Sequence, residues 1–429
     1  MKNHIVLVNI ENNTEQVRRQ FSPPFGLLIA ASVLIRNNVD VIVRHIINTP
    51  ESIKELINIC DGALAVGFSI MTSPNIISAL EISKLLHSNG HYIYWGGTHA
   101  TLLPEVVLKD DYIDAVLRGE AESNLYNFVL WRKGKLSAEN VPGLCYRNNG
   151  RMIISHIPHP VSSDLLGYHP FDLIDINHYL NKPIIKRKNF IPGNVLPFMT
   201  SKGCVKRCAF CYNNIVNKSK WRPYSIEQVY KEMDYLIDKY NITGWMFYDD
   251  NFFIDENRAW NILERYKMPS SVELDLSKVN EYFIERAKLA NVSKLYIGIE
   301  SGDDNMLRKM HKGISIKDIR YKIELCKKMG MNIDLSFMIL LPGETADQLE
   351  ATLSLIDELK EYPNIKIDGP KCYNPYPGTQ FFNEEIALGW IMPQTNEEWA
   401  KFNRTISIDN TKFKISDDYL KVMNKYKYI

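Results

Sequence analysis

The run SKGCVKRCAFCYN, residues 201–213, places three cysteines in one short segment. Cys204, Cys208 and Cys211 are separated by gaps of three and then two residues, and they follow an apolar run that predicts a strand. The short second gap lets two thiolates reach neighbouring atoms of one metal centre, and Gly203 allows the tight backbone that wrapping such a centre needs. The spacing therefore predicts a metal-cluster loop at the end of a strand.

The number of thiols distinguishes the kinds of site that this loop could form. A closed structural site normally has four protein ligands, whereas three ligands leave one position open for a substrate or cofactor. A structural zinc site is the alternative, but it would need a second ligand pair, and neither a further Cys pair nor a His-x3-His pair lies nearby. A disulfide would leave one of the three thiols unused. The count favours an open cluster site.

Composition limits the size class and the partners of the chain. Its 429 residues predict two or three domains, and 45% hydrophobic residues are ample for buried cores. The net charge is +1, and Lys and Arg are scattered among Asp and Glu, so no nucleic-acid or membrane partner is expected. The local cluster at 186–188 is interpreted as a solvated linker.

Targeting signals and cysteine usage predict the compartment. The N-terminus lacks a signal-peptide pattern, and no apolar stretch of 18 residues occurs. Seven cysteines, three of them clustered, argue against a disulfide framework and for a reducing compartment. A cytoplasmic protein is predicted, and its oligomeric state is left open.

Residues 1–130 alternate short apolar runs with helix-like segments. The predicted strands are Ile5–Ile10, Val39–Val43, Ala63–Phe68 and Tyr92–Trp95, and the predicted helices are Gly26–Ile35 and Ile76–Leu86. This alternation predicts an α/β domain with a doubly wound, Rossmann-like parallel sheet. Ligands of such sheets bind outside the carboxyl ends of the strands, where Gly-rich turns let the backbone approach a large cofactor. Two such turns, 67–74 and 96–101, follow the third and fourth strands.

Three further segments follow. The irregular, Gly- and Pro-rich stretch 131–194 predicts a connector that contains a short hairpin. Strands and helices alternate again over 195–385, and six strands predict a partial (βα)6 TIM-type barrel with active residues at the strand ends. The predicted barrel strands are 195–200, 245–248, 272–276, 294–299, 333–340 and 365–368. The tail 386–429 is predicted to form a small, mostly helical cap over the open barrel and to contribute substrate contacts.

These motifs carry a resemblance to a known family. The cysteine loop, with Phe210 between the last two cysteines, resembles the signature of the radical S-adenosylmethionine (SAM) enzymes. In these enzymes three cysteines hold a [4Fe–4S] cluster, and SAM binds the fourth iron. The first domain, with Pro23–Leu27, Pro104–Glu105 and Gly119–Glu122, resembles the cobalamin-binding domain of the cobalamin-dependent members. The resemblance implies that the cofactors are a [4Fe–4S] cluster, SAM and cobalamin, and that the oxygen-labile cluster favours an anaerobic setting.

The resemblance also implies roles for individual residues. The implied cluster ligands are Cys204, Cys208 and Cys211, and the implied SAM contacts are Phe210, Tyr212, Asp249, Asp250, Glu300 and Ser301. The implied cobalamin contacts are Pro24, Phe25, Gly26, Ser69, Thr72, Gly96, Gly97, Gly119 and Glu120. Glu300 would bind the ribose or the methionine part of SAM. Any single acid at a strand end could instead be a helix cap.

One departure concerns the cobalt ligand. The loop at 11–16 contains no histidine, although many cobalamin proteins carry Asp-x-His-x-x-Gly there. The lower cobalt face would then lack a histidine. His45 and His99 are the nearest candidates by sequence, and each is more simply a turn or surface residue. Many members of the family also lack this histidine, so cobalamin binding is still expected.

The implied activity is methyl transfer to an unactivated carbon or to a phosphorus centre. The alternatives are a radical cyclase or rearrangement enzyme with the same cofactors, and a cobalamin- or SAM-binding redox sensor. The expected partners are a small-molecule or peptide substrate and an external electron donor such as flavodoxin or ferredoxin. Cys372, just past the last strand, is a candidate catalytic thiol, but a buried thiol is the preferred interpretation because no basic residue is expected to stabilise its thiolate.

Overall fold

The structure, a computed structural model, describes residues 4–14, 22–180, 191–402 and 415–426. The chain divides into two compact units, and each unit combines two stretches of the chain. The first unit consists of Met1–Tyr179 and Pro393–Phe402, and the second consists of Leu180–Met392 and Asn403–Ile429. Both units are α/β, as predicted.

The first unit is built on a seven-stranded sheet. Its strands are β1 (Ile5–Glu11), β2 (Val41–Ile47), β3 (Ala65–Ser69), β4 (Ile93–Gly96), β5 (Ala115–Leu117), β6 (Leu144–Asn148) and β7 (Arg151–Ile153). They lie in the order β2-β1-β3-β4-β5-β6-β7, and the first five are parallel. The aliphatic run of β1 is buried at nearly every position, as expected for a parallel strand that is covered on both faces. This confirms the predicted parallel sheet.

The hairpin of β6 and β7 has a different role from the one predicted. β6 pairs antiparallel with β5, with Cys145 opposite Val116, so the hairpin extends the first sheet. Leu144 and Cys145 are buried and so anchor the hairpin there. The segment predicted as a connector over 131–194 therefore contributes its first part to the first unit, which reaches Tyr179.

Helices connect the strands of the first unit. They are α1 (Phe25–Arg36), α2 (Pro50–Cys60), α3 (Asn75–Ser88), α4 (Gly97–Leu102), α5 (Pro104–Val107) and α6 (Ala121–Arg132). Sequence analysis did not include α2, although its start carries a clear signal: Thr49 accepts a hydrogen bond from the Ser52 N–H, and Pro50 is the first helical residue.

The second unit is built on a parallel sheet of six strands. They are β8 (Val195–Phe198), β11 (Gly244–Phe247), β12 (Ser270–Glu273), β13 (Val292–Glu300), β14 (Asn332–Ile339) and β15 (Ile365–Cys372). Their order is β15-β14-β13-β12-β11-β8, so neighbours in the chain are neighbours in the sheet. A short antiparallel pair, β9 (Ser201–Lys202) and β10 (Arg222–Pro223), lies beside the cysteine loop. All six predicted barrel strands are confirmed.

The central strands of the second sheet have one apolar face and one polar face. On β13 and β14 the apolar positions alternate with polar ones, and Leu295, Ile297 and Leu335 are fully buried. On the opposite face, Tyr296 is in register with Asp334. Because register partners of parallel strands point to the same side, the polar side chains of neighbouring strands meet on one face.

Among the described residues of the second unit that precede the tail, eight stretches form α-helices. They are α7 (Asn213–Val216), α8 (Ile226–Tyr240), α9 (Glu256–Tyr266), α10 (Glu281–Leu289), α11 (Asp304–Lys309), α12 (Ile316–Lys328), α13 (Ala346–Lys360) and α14 (Gln380–Ala387). The predicted cap of α13 is present, since Thr345 and Gln348 form a reciprocal capping box. Ser225 caps α8 by accepting a hydrogen bond from the Gln228 N–H.

The tail does not form one continuous cap. Helix α15 (Asn396–Ala400) belongs to the first unit, and helix α16 (Asp417–Lys425) belongs to the second. The reason is that Asn396 and Trp399 are buried against the first unit. The predicted cluster at 186–188 lies outside the described residues, as does the end of the loop 11–16. In the described part of the chain, no helix combines the length and apolar character that crossing a membrane requires.

Candidate functional site

The three clustered cysteines lie in the loop after β9, and each is partly buried. Burial raises the pKa of all three thiols, that of Cys211 to about 12. The charges of Cys204 and Cys208 would raise the pKa of Cys211 further, so the three groups converge. The Lys206 N–H donates a hydrogen bond to the Cys204 Sγ at 3.5 Å. The thiols are neutral until a metal displaces their protons.

Gly203 and Asp250 fix the path of the loop. Gly203 has a φ of +80°, and a Cβ at this position would overlap the backbone oxygen of Lys220. Its N–H donates to the Asp250 Oδ2 at 3.0 Å, and the side chain of Asn213 also hydrogen bonds to this carboxylate. Asp250 therefore ties the start of the loop to its end, and the predicted tight backbone at Gly203 is confirmed.

Asp249 fixes the strand that enters the loop. Its carboxylate is fully buried and accepts hydrogen bonds from the Thr200 N–H at 3.0 Å, the Thr200 hydroxyl at 2.7 Å and the Ser201 hydroxyl. Arg258 donates to the hydroxyl and the carbonyl oxygen of Thr200 at 3.0 and 2.9 Å. Burial raises the pKa of Asp249, and these hydrogen bonds oppose that shift. Both acids after β11 thus hold the cysteine loop.

The donor set of this loop fits an iron–sulfur cluster. Thiolates are the protein ligands of such clusters, and a [4Fe–4S] cluster with three of them leaves one iron open. In the described ranges, no group of three or more Cys, His, Asp or Glu side chains is arranged around a single metal ion. A cluster does not require such a group, because each of Cys204, Cys208 and Cys211 would bind a different iron atom.

Glu300 lies beside the cysteines in an unusual backbone conformation. Its φ is +74°, and the register between β13 and β14 shifts between Gly298 and Glu300. Few non-glycine residues adopt a positive φ, and such strain is concentrated at functional sites. The carboxylate pairs with the Lys312 ammonium at 3.5 Å, and both charges are close enough to act on the pKa of Cys208. The acid predicted to bind SAM and the predicted cluster ligand are therefore together.

Gly298→Ala is expected to displace the Glu300 carboxylate without unfolding the domain. A Cβ on Gly298 would overlap Glu300 Oε1 and come within 3.3 Å of Lys312 Nζ, and both atoms end flexible side chains that can move. If Glu300 binds SAM, losing one hydrogen bond to a charged group should weaken SAM binding by about tenfold. Equilibrium dialysis with radiolabelled SAM would measure the affinity, with Ser293→Ala, at the other end of β13, as the control. Unchanged affinity in Gly298→Ala would remove Glu300 from the SAM site.

The other predicted SAM residues have defined contacts. Phe210 packs against an apolar cluster that includes Ala209, Met310 and Leu341. The Tyr212 ring lies 5.3 Å from that of Tyr376.

Ser301 is fully buried and supports the turn after β13. It accepts a hydrogen bond from the Asp303 N–H at 3.2 Å, and its hydroxyl lies 3.4 Å from that of Thr352. The contacts of Ser301 are those of a structural residue, and its role toward SAM stays a prediction.

The polar face of the second sheet adds functional candidates that sequence analysis missed. The Tyr296 hydroxyl donates to the Asp368 carboxylate at 2.6 Å, and the Lys371 ammonium lies 2.6 Å from the same carboxylate. Glu273, at the end of β12, has its pKa raised to about 8, first by burial and then by the charges of Asp250 and other acids. The available signal was the alternation in the run VELDL, where two acids share the strand face opposite the buried residues.

Cys372 lies at the end of β15 and is 7% exposed. Its sequence neighbour Lys371, which sequence reasoning did not weigh, pairs with Asp368 instead. Nearby in space is Tyr419, whose pKa is raised chiefly by burial and slightly by Cys372. The burial agrees with the interpretation of Cys372 as a buried thiol, and a catalytic role stays a prediction.

Most residues predicted to contact cobalamin lie at the carboxyl edge of the first sheet. Ser69 ends β3, and Gly96 is opposite it at the end of β4. Gly26, at the start of α1, is next to Ser69, since a Cβ there would lie 3.8 Å from the Ser69 hydroxyl. Gly97 has a φ of +85°, and a Cβ there would lie 2.7 Å from the Ile70 backbone. Glycine at position 97 therefore allows close packing against the Ile70 backbone, and the role of this edge toward cobalamin stays a prediction.

Three further predicted residues have structural contacts near this edge. Pro24 is buried, and the Phe25 ring makes an edge contact with His169 at 5.4 Å. The Glu120 carboxylate accepts a hydrogen bond from the Val161 N–H at 3.0 Å.

Gly119 lies in the turn after β5 with a φ of +84°, and its N–H donates to the Thr101 hydroxyl at 3.0 Å. The role of these residues toward cobalamin stays a prediction.

Both histidines that are candidate cobalt ligands use their ring nitrogens in contacts with other side chains. His99 is fully buried; its Nδ1 lies 3.0 Å from the Thr72 hydroxyl and its Nε2 lies 3.0 Å from the Asn396 Oδ1. Burial lowers the pKa of His99 to about 4, so the ring is neutral. His45 Nδ1 lies 3.1 Å from the Tyr179 hydroxyl, and its Nε2 lies 3.5 Å from the Glu11 carboxylate. His99 thus orients Thr72, a predicted cobalamin contact.

Two family models match the chain. The model of the radical SAM superfamily matches residues 198–356, which include the cysteine loop and the strands β11 to β14. The model of the B12 binding domain matches residues 16–129, which include the glycine turns of the first sheet. The two matches are separate in sequence, so the two motif sets are independent.

Known proteins resemble the chain over most of its length. An uncharacterized methyltransferase of Pyrococcus horikoshii is 28% identical over 99% of this chain and 91% of its own length. The anaerobic magnesium-protoporphyrin IX monomethyl ester cyclase of Rubrivivax gelatinosus is 23% identical over 67% of this chain, which spans about half (52%) of the cyclase.

A solved structure shares the fold. The radical SAM methyltransferase TsrM of Kitasatospora setae, with cobalamin and a [4Fe–4S] cluster bound, superposes with a TM-score of 0.66 at 15% identity. The likeness covers 88% of this chain and 74% of TsrM. With both family models matched, the chain combines a B12 binding domain with a radical SAM domain, which is the domain combination of the cobalamin-dependent radical S-adenosylmethionine enzymes.

Proposed function

We propose that the protein is a methyltransferase that uses SAM, a [4Fe–4S] cluster and cobalamin to methylate an unactivated carbon or a phosphorus centre. The observation that carries the proposal is the convergence of Glu300, Lys312 and Cys208 at the strand ends of one domain, in a chain that also has a B12-binding domain. The named methyltransferase of P. horikoshii, which aligns with nearly the whole chain, supports methyl transfer over other radical reactions.

The residues of the chain have distinct roles in this proposal. Cys204, Cys208 and Cys211 would hold the cluster, and Glu300 with Lys312 would orient SAM at its open iron. Ser69, Thr72 and the glycine turns would hold cobalamin. When bound, the cluster supplies the electron that cleaves SAM, and the cobalamin supplies the methyl group.

The polar face of the second sheet would bind the substrate. Glu273, Tyr296 and Lys371 combine acceptors and donors on one side of the barrel strands, where a barrel enzyme positions its substrate. A polar small molecule or peptide fits this face. We place the reaction in a reducing cytoplasm, with an external one-electron donor such as flavodoxin or ferredoxin.

The full chain, purified without oxygen and loaded with iron, sulfide and hydroxocobalamin, tests the proposal. About one cobalt and about four irons should bind per chain, because the two sites lie in separate domains. Incubation with SAM and a strong reductant should give both 5′-deoxyadenosine and S-adenosylhomocysteine, measured by liquid chromatography with mass detection. Formation of 5′-deoxyadenosine without bound cobalt and without S-adenosylhomocysteine would overturn the cobalamin half of the proposal.

Radical cyclisation with the same cofactors is the second candidate, because a cyclase is among the relatives. A cyclase would consume SAM without transferring its methyl group. Deuterated methyl SAM separates the two: the label appears in the product of a methyltransferase and is absent from the product of a cyclase. Absence of any deoxyadenosine would instead favour the sensor hypothesis.

A further inference from the structure

A cavity of about 540 Å³ lies within the second unit, and none of the three clustered cysteines lines it. It is bounded by the loop after β14, by the end of α14 with the residues that follow it, and by α16. Its apolar walls are formed by Leu340, Leu341, Leu388, Trp390 and Ile391. The volume suits a small organic molecule, and such cavities are typically apolar with a few convergent polar groups.

Two carboxyl groups line this apolar cavity. Glu385 is 6% exposed, and within the described part of the chain its side chain makes no hydrogen bond or ion pair. Glu344 Oε2 accepts from the Tyr419 hydroxyl at 2.6 Å, whereas Glu344 Oε1 is buried without a partner among the described residues. A buried polar group without a partner is costly, and proteins retain few of them without a reason. Glu344 Oε2 also accepts a hydrogen bond from the Leu341 N–H at 3.3 Å, so the unused hydrogen-bonding capacity is that of Glu344 Oε1 and of the Glu385 carboxyl group.

The two acids need a hydrogen-bond donor from a ligand, and the residues around them determine the charge of that donor. An anion would be repelled by two carboxylates, and a purely apolar ligand would leave their oxygens unsatisfied. An ammonium group has three donors and a positive charge, so it satisfies both acids at once. The leucine, isoleucine and tryptophan walls select an apolar group next to that ammonium.

We infer that this cavity is a binding site for an organic amine, with its ammonium group held by Glu385 and Glu344 and its apolar part against the surrounding walls. The inference concerns ligand binding alone and does not depend on the reaction that the enzyme catalyses. Tyr419 connects the site to β14, because its hydroxyl accepts a hydrogen bond from the Leu340 N–H at 2.8 Å.

The charged groups around the two acids are Lys309, Glu384 and Asp303. Lys309 is near Glu385, but its ammonium pairs with Glu384 at 2.9 Å and donates to the Pro342 carbonyl. Burial raises the pKa of Glu385 to about 7; Lys309 opposes this shift and Glu384 adds to it. Burial likewise raises the pKa of Glu344 to about 7, with a hydrogen bond from Tyr419 opposing it and the charge of Asp303 adding to it.

Calorimetric titration of the full chain with 2-phenylethylamine tests the inference. An amine of this kind stays protonated between pH 6 and pH 8, like lysine, whereas a carboxyl group with a pKa of about 7 becomes ionised over this range. The ionised fraction rises about tenfold, so binding should be about tenfold tighter at pH 8 than at pH 6. The neutral isostere 2-phenylethanol should bind more weakly and without this pH dependence.

Glu385→Gln is the decisive variant, and Glu358→Gln, at an exposed ion pair with Arg320, is its control. Glu385 has no side-chain partner to lose, so the variant should fold, and it should bind the amine at least tenfold more weakly at pH 8. Glu358→Gln makes the same change in charge on α13, away from the cavity lining, and should bind like the unaltered protein. Equal binding of alcohol and amine, equal behaviour of the two variants, or no heat of binding up to about 10 mM amine would each overturn the inference.

Discussion

Cys208→Ala is expected to abolish the bound cluster and, with it, all formation of 5′-deoxyadenosine. The second cysteine of the loop is close to both Glu300, a predicted SAM contact, and its ion-pair partner Lys312. A cluster held by two thiolates instead of three loses one of its three protein ligands. Bound iron should fall from about four atoms per chain toward zero, and the broad visible absorbance of the reconstituted protein should disappear.

Cys326→Ala is the control for this prediction. Cys326 is a fully buried thiol of α12, so its removal takes a cysteine from the same unit but leaves the loop intact. Its variant should keep the full iron content and lose about 1 kcal/mol of stability through the small cavity. Cobalamin binding of Cys208→Ala should be unchanged, because that site lies in the first unit. Normal iron content in Cys208→Ala would show that the ligand assignment is wrong.

The parts of the fold that could be predicted from sequence are those with local signals. The barrel strands are runs of four to nine residues in which apolar residues are continuous, as in β8, or alternate with polar ones, as in β14. All six appear within a few residues of their predicted bounds. The cap at Thr345 and the tight turn at Gly203 depend on neighbours within four positions or on a single residue type. Such features need no knowledge of distant pairing.

The parts that could not be predicted depend on contacts between distant segments. The hairpin at β6 and β7 is local, but its membership in the first sheet comes from the pairing of Cys145 with Val116. The assignment of α15 to the first unit comes from Asn396, which contacts His99 across 297 positions of the chain. No periodicity in the tail encodes that partner, since one polar side chain in a short helix is enough to make the contact.

The residues of the candidate site also divide into those that a local sequence pattern predicts and those whose contacts the sequence does not reveal. Its cysteines are predicted by their spacing, and the role of Glu300 is implied by the family resemblance. The roles of Asp249 and Asp250 were less predictable, because a carboxylate at a strand end can face a ligand or a backbone N–H, and the sequence is the same in both cases. The structure shows both carboxylates occupied by donors of the cysteine loop. Whether they also contact SAM stays a prediction.

Asp249→Asn is expected to loosen the entry to the cysteine loop by about 3 kcal/mol. Three donors from Thr200 and Ser201 point at this carboxylate, and a hydrogen bond to a charged group contributes about 1.5–3 kcal/mol. An asparagine would direct its own N–H groups at one or more of these donors. It would also remove the negative charge that acts on buried Arg258. The cluster should then be lost more readily on dilution.

Hydrogen exchange measures the loss of local stability peptide by peptide. A local measurement is needed because a chain of two units need not unfold in one step. Peptides from β8 through Gly203 should exchange about a hundredfold faster in Asp249→Asn, the equivalent of about 3 kcal/mol. Asp234→Asn makes the same chemical change at an exposed pair with Arg265, where the cost should stay below about 1 kcal/mol. If the two variants exchanged alike, Asp249 would not hold the loop. The strand-end acid would then be available to SAM, as the sequence first indicated.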